Sequence, residues 1–158
     1  MRPKHFTLAS AKPNPDSSLL LQYADGVQLE VSLVETILQS PALEQLKDPK
    51  VFSSGRIGDN GAMVIWANDD DLQLAADNLR ARGVEQAGGI SHEFIWKWMA
   101  KNDLNLDTAA AALGVSRRML AYYRSGSKPV PRTVALACIG WEHDKRVLID
   151  DDRFPIDP

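Results

Sequence analysis

Residues Leu106 to Gly126 read LDTAAAALGVSRRMLAYYRSG, and the placing of small, apolar and basic residues in this run decides the fold around it. Gly114 suits a sharp turn, because glycine takes positive φ at no steric cost. Ala110, four residues earlier, is small enough to let two helices approach closely. Leu113, Val115, Leu120 and Tyr123 fall where those helices must share a core. Ser116 is placed to N-cap the second helix, its hydroxyl accepting from a backbone N–H one turn on. Ser116, Arg117, Arg118, Ala121 and Tyr122 then project outward together. An ordinary helical hairpin with an Ala-rich first helix would need only the glycine. A small residue, a turn glycine, a cap, four core positions and an outward arginine pair in one register form the pattern of a helix-turn-helix, whose second helix enters the major groove of DNA.

The segment resembles the lambda-repressor-like helix-turn-helix family, and the likeness extends past the motif. Ser125-Gly126-Ser127-Lys128-Pro129-Val130-Pro131 is similar to that family's loop after the recognition helix. Pro131 suits the first turn of a fourth helix, where its missing N–H would be unpaired anyway. Upstream, Ile95, Trp98 and Met99 lie at i, i+3 and i+4 on one face of a first helix. The chain also departs from the family. Helix two of the family often starts with a Gln that helps hold a phosphate, and here the position is Leu106. Asp107 beside it puts a negative charge near the expected DNA backbone, either re-angling the docking or stabilising the helix dipole.

Toward the N-terminus the reading is of a small antiparallel sheet with flanking helices. His5 to Pro13 reads as a strand, followed by strands Ser18–Tyr23 and Val27–Leu33 joined across Asp25-Gly26, a hairpin signal because type I′ turns need positive φ. Val34 to Gln39 is a short helix, and Pro41 starts another turn. Asp48-Pro49 forms an N-cap and first helical residue. A second hairpin joins Arg56-Ile57 to Ala62–Trp66 across Asp59-Asn60-Gly61. Leu72 to Arg82 reads as a helix with Leu72, Ala75, Ala76 and Leu79 on one face, ended by Gly83. Leu20–Gly26, Leu46–Phe52 and Met63–Asn68 resemble an uncharacterised bacterial α+β domain family that is sometimes fused to a helix-turn-helix. Together the two resemblances imply a bacterial two-domain DNA-binding protein. Its expected division is an α+β domain over 1–87, an all-α helix-turn-helix domain over 88–142 opening at the Gly88-Gly89 linker, and an acidic irregular tail over 143–158 that contains Asp150-Asp151-Asp152.

Charge supports that division. The 158 residues carry a net −3, but unevenly. Residues 1–90 hold eight Lys/Arg and twelve Asp/Glu, net −4; residues 91–146 hold nine and five, net +4; residues 147–158 hold one and four, net −3. The positive charge coincides with the motif, as an electrostatic footprint for nucleic acid requires. An excess of this size is modest, and a single copy would bind weakly at physiological salt, which argues for a homodimer.

Other chemistries find little footing. Asp69-Asp70-Asp71 reads as a solvated helix start and not a metal site. His5, His92 and His143 are widely spaced and unaccompanied by Cys, so zinc is not expected. No phosphate loop, nucleophile elbow or paired acid–base signature appears, so neither enzyme activity nor a cofactor is expected. The lone Cys138 lies in an apolar helical run and reads as a buried thiol. Trp66, Trp96, Trp98 and Trp141 could stack on single-stranded bases. Of these, Trp98 reads as core and Trp96 as open to packing on the N-terminal domain. With no apolar run of ~20 residues and no signal-peptide pattern, a cytoplasmic location is expected.

The function expected is sequence-specific double-stranded DNA binding by a dimeric transcriptional regulator. Arg117 and Arg118 would read base edges, guanine above all, because arginine matches its two acceptors bidentately. Tyr122 is placed to touch a base, a methyl or a phosphate. Ser116 caps and lies near phosphate. Lys128 and Arg132 are assigned to phosphates, fixing register without reading sequence. The alternative is an interaction module such as an antitoxin, its N-terminal domain gripping a protein partner and DNA binding secondary.

Overall fold

A computed structural model describes residues 2–67 and 69–144 of the chain. It is mixed α and β, with two small antiparallel sheets. The chain forms two compact units, Met1–Gly89 and Ile90–Pro158.

In the first unit, strands β1 (Leu8–Pro13), β2 (Ser18–Tyr23) and β3 (Gln28–Ser32) form an antiparallel meander. Leu19, Leu21 and Tyr23 point into the core, Leu19 and Leu21 paired across the sheet with Val31 and Leu29 and Tyr23 with Leu8. β1 does not begin at His5: a single 3₁₀ turn, Lys4–Phe6, precedes it. Its register shifts between Leu8 and Ser10. An extra residue there flips the alternation, which lets both Leu8 and Ala11 face the core. The Asp25-Gly26 hairpin forms with a different turn from the one expected. Tyr23 and Val27 flank a three-residue loop in which only Gly26 has positive φ, at 90°. This is the type I turn with a left-handed last residue and not type I′.

Helix α1 (Val34–Gln39) and a 3₁₀ turn, Pro41–Lys47, follow the sheet. α2 (Pro49–Phe52) is capped by Asp48, whose carboxylate accepts from the Lys50 N–H at 2.9 Å. β4 (Arg56–Ile57), β5 (Met63–Ile65) and β6 (Gln73–Ala75) make the second sheet. Here the expected helix over Leu72–Arg82 is corrected. Met63, Val64 and Ile65 pair with Ala75, Leu74 and Gln73, so the segment's first residues become a strand and α3 runs Ala76–Gln86. Pairing with a distant strand overrides local helical preference. Asp69-Asp70-Asp71 accordingly does not start a helix. It lies in the β5–β6 connection, where the Asp69 carboxylate accepts from the Asp71 N–H at 2.9 Å. Gly83 does not end α3 either. It is buried inside the helix, where an added Cβ would come within 3.0 Å of Leu29 and Val31. The helix ends three residues later, at Gln86. Gly88 is left-handed and the Gly89 N–H bonds the Val84 carbonyl at 2.8 Å, a Schellman stop.

Trp66, fully buried, donates its indole N–H to the Phe52 carbonyl at 3.0 Å. The buried Tyr23 donates its hydroxyl to the Ala76 carbonyl at 2.7 Å. Its phenol titrates well above the ordinary range because burial disfavours the anion. Arg80 lies over the Tyr23 ring and grips Asp25 with both terminal nitrogens, at 3.1 and 2.9 Å. Burial alone would raise Asp25, but the bond and charge of Arg80 together with the Val27 N–H hold its carboxyl below the usual range. The Gln86 amide, at the end of α3, donates to the Ser32 carbonyl and accepts from the Ser32 N–H, at 2.9 and 2.8 Å.

The second unit contains helices α4 (His92–Lys101), α5 (Leu106–Leu113), α6 (Arg117–Ser125) and α7 (Arg132–Asp144). Its core joins Ile95, Trp98 and Met99 to Ala109, Ala110, Leu120, Val130, Val134 and Cys138. The face expected for α4 is therefore the buried one. Trp98 donates to the Cys138 carbonyl at 3.1 Å and meets Trp141 edge-on at 5.6 Å. Burial, with Glu142 nearby, pushes the Cys138 thiol up to about 11. α7 runs through Asp144, so His143 and Asp144 are helical and not part of an irregular tail. The rest of the acidic tail, Asp150-Asp151-Asp152 included, lies outside the described residues.

Candidate nucleic-acid interface

α5 and α6 are built by their caps. The Asn105 side chain accepts from the Thr108 N–H at 2.8 Å, and the Thr108 hydroxyl accepts in return from the Asn105 N–H at 3.0 Å. This reciprocal box satisfies two donors at the start of α5. Its end is Gly114, with φ 70° and ψ 27°. The Gly114 and Val115 amides bond back to Ala111 and Ala110 at 3.3 and 3.1 Å, closing a second Schellman stop. Apart from the glycine and its chain neighbours, no atom lies within 4 Å of where a Cβ would sit on Gly114. The glycine is therefore there for its left-handed conformation and not for space. Two residues on, the Ser116 hydroxyl accepts from the Met119 N–H at 3.0 Å and starts α6.

The residues expected to join the helices do so. Ala110 and Leu120 are buried, and Leu113, Val115 and Tyr123 pack half-buried against the same core. Leu106, at the position where the resembled family often has Gln, is also packed on this core.

On the opposite side Ser116, Arg117 and Arg118 are exposed, with Ala121 and Tyr122 partly so. Lys128 and Arg132 are exposed beyond them. The sequence did not foretell how these groups hold one another. Arg117 Nε lies 3.0 Å from the Asp107 carboxylate, so the acid near the expected DNA backbone is an ion-pair partner of a candidate reader. Arg118 Nε donates to the Tyr122 hydroxyl oxygen at 2.8 Å. Lys128 Nζ sits 4.8 Å from the centre of the same Tyr122 ring. Arg124 stacks over Trp96 at 4.8 Å. Neither Arg124 nor Trp96 stood out as a pair in the sequence, being far apart along the chain. Trp96 is half-exposed, whereas Trp66 and Trp98 are buried and have no face to offer a base.

The arrangement offers a row of cations along α6 and its following loop, most of them braced against an aromatic ring or a carboxylate. Chemically it suits an anionic, groove-bearing ligand. Among the described residues there is no group of three or more His, Cys, Asp or Glu able to hold a metal, and no helix long and apolar enough to cross a membrane.

No family model matches the chain, and no curated protein does. Among solved structures it is similar to the crystal structure of "Putative DNA Binding Protein NE0471" from Nitrosomonas europaea ATCC 19718, with 37% sequence identity and a TM-score of 0.82. The match covers 92% of this chain and 92% of that one. Similarity of that extent places both in one family, and the chain belongs to the family of the Nitrosomonas protein.

Proposed function

We propose that this protein binds double-stranded DNA in a sequence-specific way through a lambda-repressor-like helix-turn-helix, α5 and α6, and acts as a dimeric transcriptional regulator in the cytoplasm. The observation that carries the reading is the junction of the two helices. A left-handed Gly114 and a capping Ser116 start α6 with Ser116, Arg117 and Arg118 exposed at its N-terminal end. That is the end of a recognition helix that meets base edges. The Nitrosomonas relative carries a DNA-binding name, and the +4 charge of residues 91–146 favours the same ligand.

Arg117 and Arg118 read bases, and Lys128 and Arg132 hold phosphates. Ala121 lies on the same face, where its small side chain leaves room for the groove wall. No catalytic role is assigned. Selection of bound duplexes from a random DNA pool tests the reading. A dimeric regulator recovers a pseudo-palindrome with half-site centres about one helical turn, roughly 10 bp, apart. Recovery of no motif, with weak retention of duplex, would favour the interaction-module reading. That second reading draws on Val34 and Leu38, two large apolar side chains exposed one turn apart on α1.

A further inference from the structure

We propose that Tyr122 is a positioning residue for DNA recognition, its hydroxyl fixing the base-reading arginine Arg118 and its ring fixing the backbone-anchoring Lys128. This rests on the reading of α6 as a recognition helix. Tyr122 lies one turn after Arg118, so the two side chains share a face of the helix. Arg118 Nε donates to the phenolic oxygen at 2.8 Å, and the guanidinium carbon lies 5.5 Å from the ring centre. Donation through Nε leaves the terminal amino groups, the paired donors that suit the O6 and N7 acceptors of guanine. An unheld arginine must give up its rotamer freedom when it binds; a held one has already done so.

Lys128 comes to the same residue from the loop. Its ammonium lies over the ring at 4.8 Å, and its backbone N–H donates to the Tyr122 carbonyl at 3.3 Å. The Ser125 hydroxyl donates to that carbonyl too, at 3.2 Å. The loop is thus tied to Tyr122 through the main chain as well as the ring. An ammonium is a point charge suited to phosphate and carries no directional base reading. One tyrosine therefore sets the distance between a group that reads sequence and a group that reads backbone.

The two roles use different atoms and separate by substitution. Tyr122→Phe keeps the ring and deletes the hydroxyl; Tyr122→Leu deletes both. The experiment measures binding of the full chain and its variants to the selected duplex and to a scrambled one across a salt series. Tyr122→Phe is expected to lose about threefold to tenfold on the selected duplex, one hydrogen bond's worth, and to match wild type on the scrambled one. Adding Tyr122→Phe to Arg118→Ala costs nothing further on the selected duplex. Tyr122→Leu also weakens scrambled binding and lowers the salt slope, as Lys128→Ala does.

Equal losses on both duplexes for Tyr122→Phe would mean that the hydroxyl itself touches the DNA backbone, and would overturn the proposal. So would a Tyr122→Phe protein that discriminates like wild type. A Tyr122→Leu protein no weaker than Tyr122→Phe on scrambled DNA overturns the ring's part. Nitrogen NMR of arginine Nε–H groups in the free protein gives a reading without DNA. The Arg118 signal is expected to exchange slowly in wild type and fast in Tyr122→Phe, and fast exchange in wild type overturns the brace. A wild type without sequence preference sinks the regulator reading itself. A selective wild type indifferent to Tyr122→Phe sinks only this proposal.

Discussion

Asp107 and Arg117 stand one in the first turn of α5 and one in the first turn of α6, and a 3.0 Å ion pair joins them across the Gly114 turn. Both side chains are mostly exposed, so the pair adds little stability, about 0–1 kcal/mol. Its weight lies in charge placed at the proposed DNA face. Asp107→Ala removes a negative charge there and releases Arg117. Binding to scrambled duplex is expected to tighten by a few-fold at low salt, with the gain fading as ionic strength rises. Weaker scrambled binding in this variant would show that Asp107 helps to dock DNA.

Arg117, Arg118 and Lys128 differ in what they should lose. Arg117→Ala or Arg118→Ala is expected to cost ~1–3 kcal/mol on the preferred site and much less on random sequence. Lys128→Ala weakens both duplexes alike and lowers the magnitude of the log K versus log salt slope by about 0.9 per subunit. Equal losses on both duplexes for each arginine would reassign them as phosphate clamps.

Gly114 and Gly83 are predicted to resist alanine for opposite reasons. Gly114 has open space around its missing Cβ but a left-handed backbone, so Gly114→Ala is expected to cost about 1–2 kcal/mol from conformation alone. Gly114→Asn, more tolerant of that region, costs less. Gly83 sits in a helix, where alanine is favoured, but its Cβ would press on Leu29 and Val31 at 3.0 Å. Truncating Val31 to Ala should therefore offset part of the Gly83→Ala loss. Urea unfolding of the single and double variants measures both effects.

Residues 1–89 are predicted to fold as a separate fragment, because their core and the Schellman stop at Gly88-Gly89 lie within the first unit. Circular dichroism should show a cooperative α+β fragment, and duplex binding should be absent. Duplex binding equal to that of the full chain would place the interface elsewhere.

Cys138 gives a test by pH. Its thiol is raised from 9.0 to about 11 by burial. A raised acid contributes stability that is present below its unfolded pKa and is lost as pH climbs through the folded one. The loss is expected between about pH 9 and 11, and Cys138→Ala should flatten that part of the stability profile. Alkylation of native protein at neutral pH should proceed only as fast as unfolding exposes the thiol.

The second unit was the more legible from sequence because its signals are local. Gly114 and Ser116 act within four residues of themselves, and the Ile95, Trp98, Met99 face follows from helical period. The first unit hid what depends on distant partners. Nothing near Gln73-Leu74-Ala75 says that Met63-Val64-Ile65 will recruit it into a sheet. Gly83 and Gly88 look alike as helix stops, and only the packing of Leu29 and Val31 against Gly83 tells them apart. At the candidate interface the exposure of Ser116, Arg117, Arg118 and Lys128 could be read from the sequence. Their bracing could not. Arg117 reaches an acid ten residues back and Arg124 reaches Trp96 on another helix, choices made by rotamers and tertiary geometry.

The Gln86 amide bonded to both main-chain groups of Ser32 has a further consequence. Among the described residues β3 has β2 on one side and no strand on the other. An open edge of this kind invites strand addition by another chain, the first step of aggregation. At Ser32 the donor and acceptor that an incoming strand would need are already taken by a side chain from α3. A newcomer would have to expel that amide before it could pair at Ser32, so this glutamine opposes lengthening of the sheet at that end of the strand.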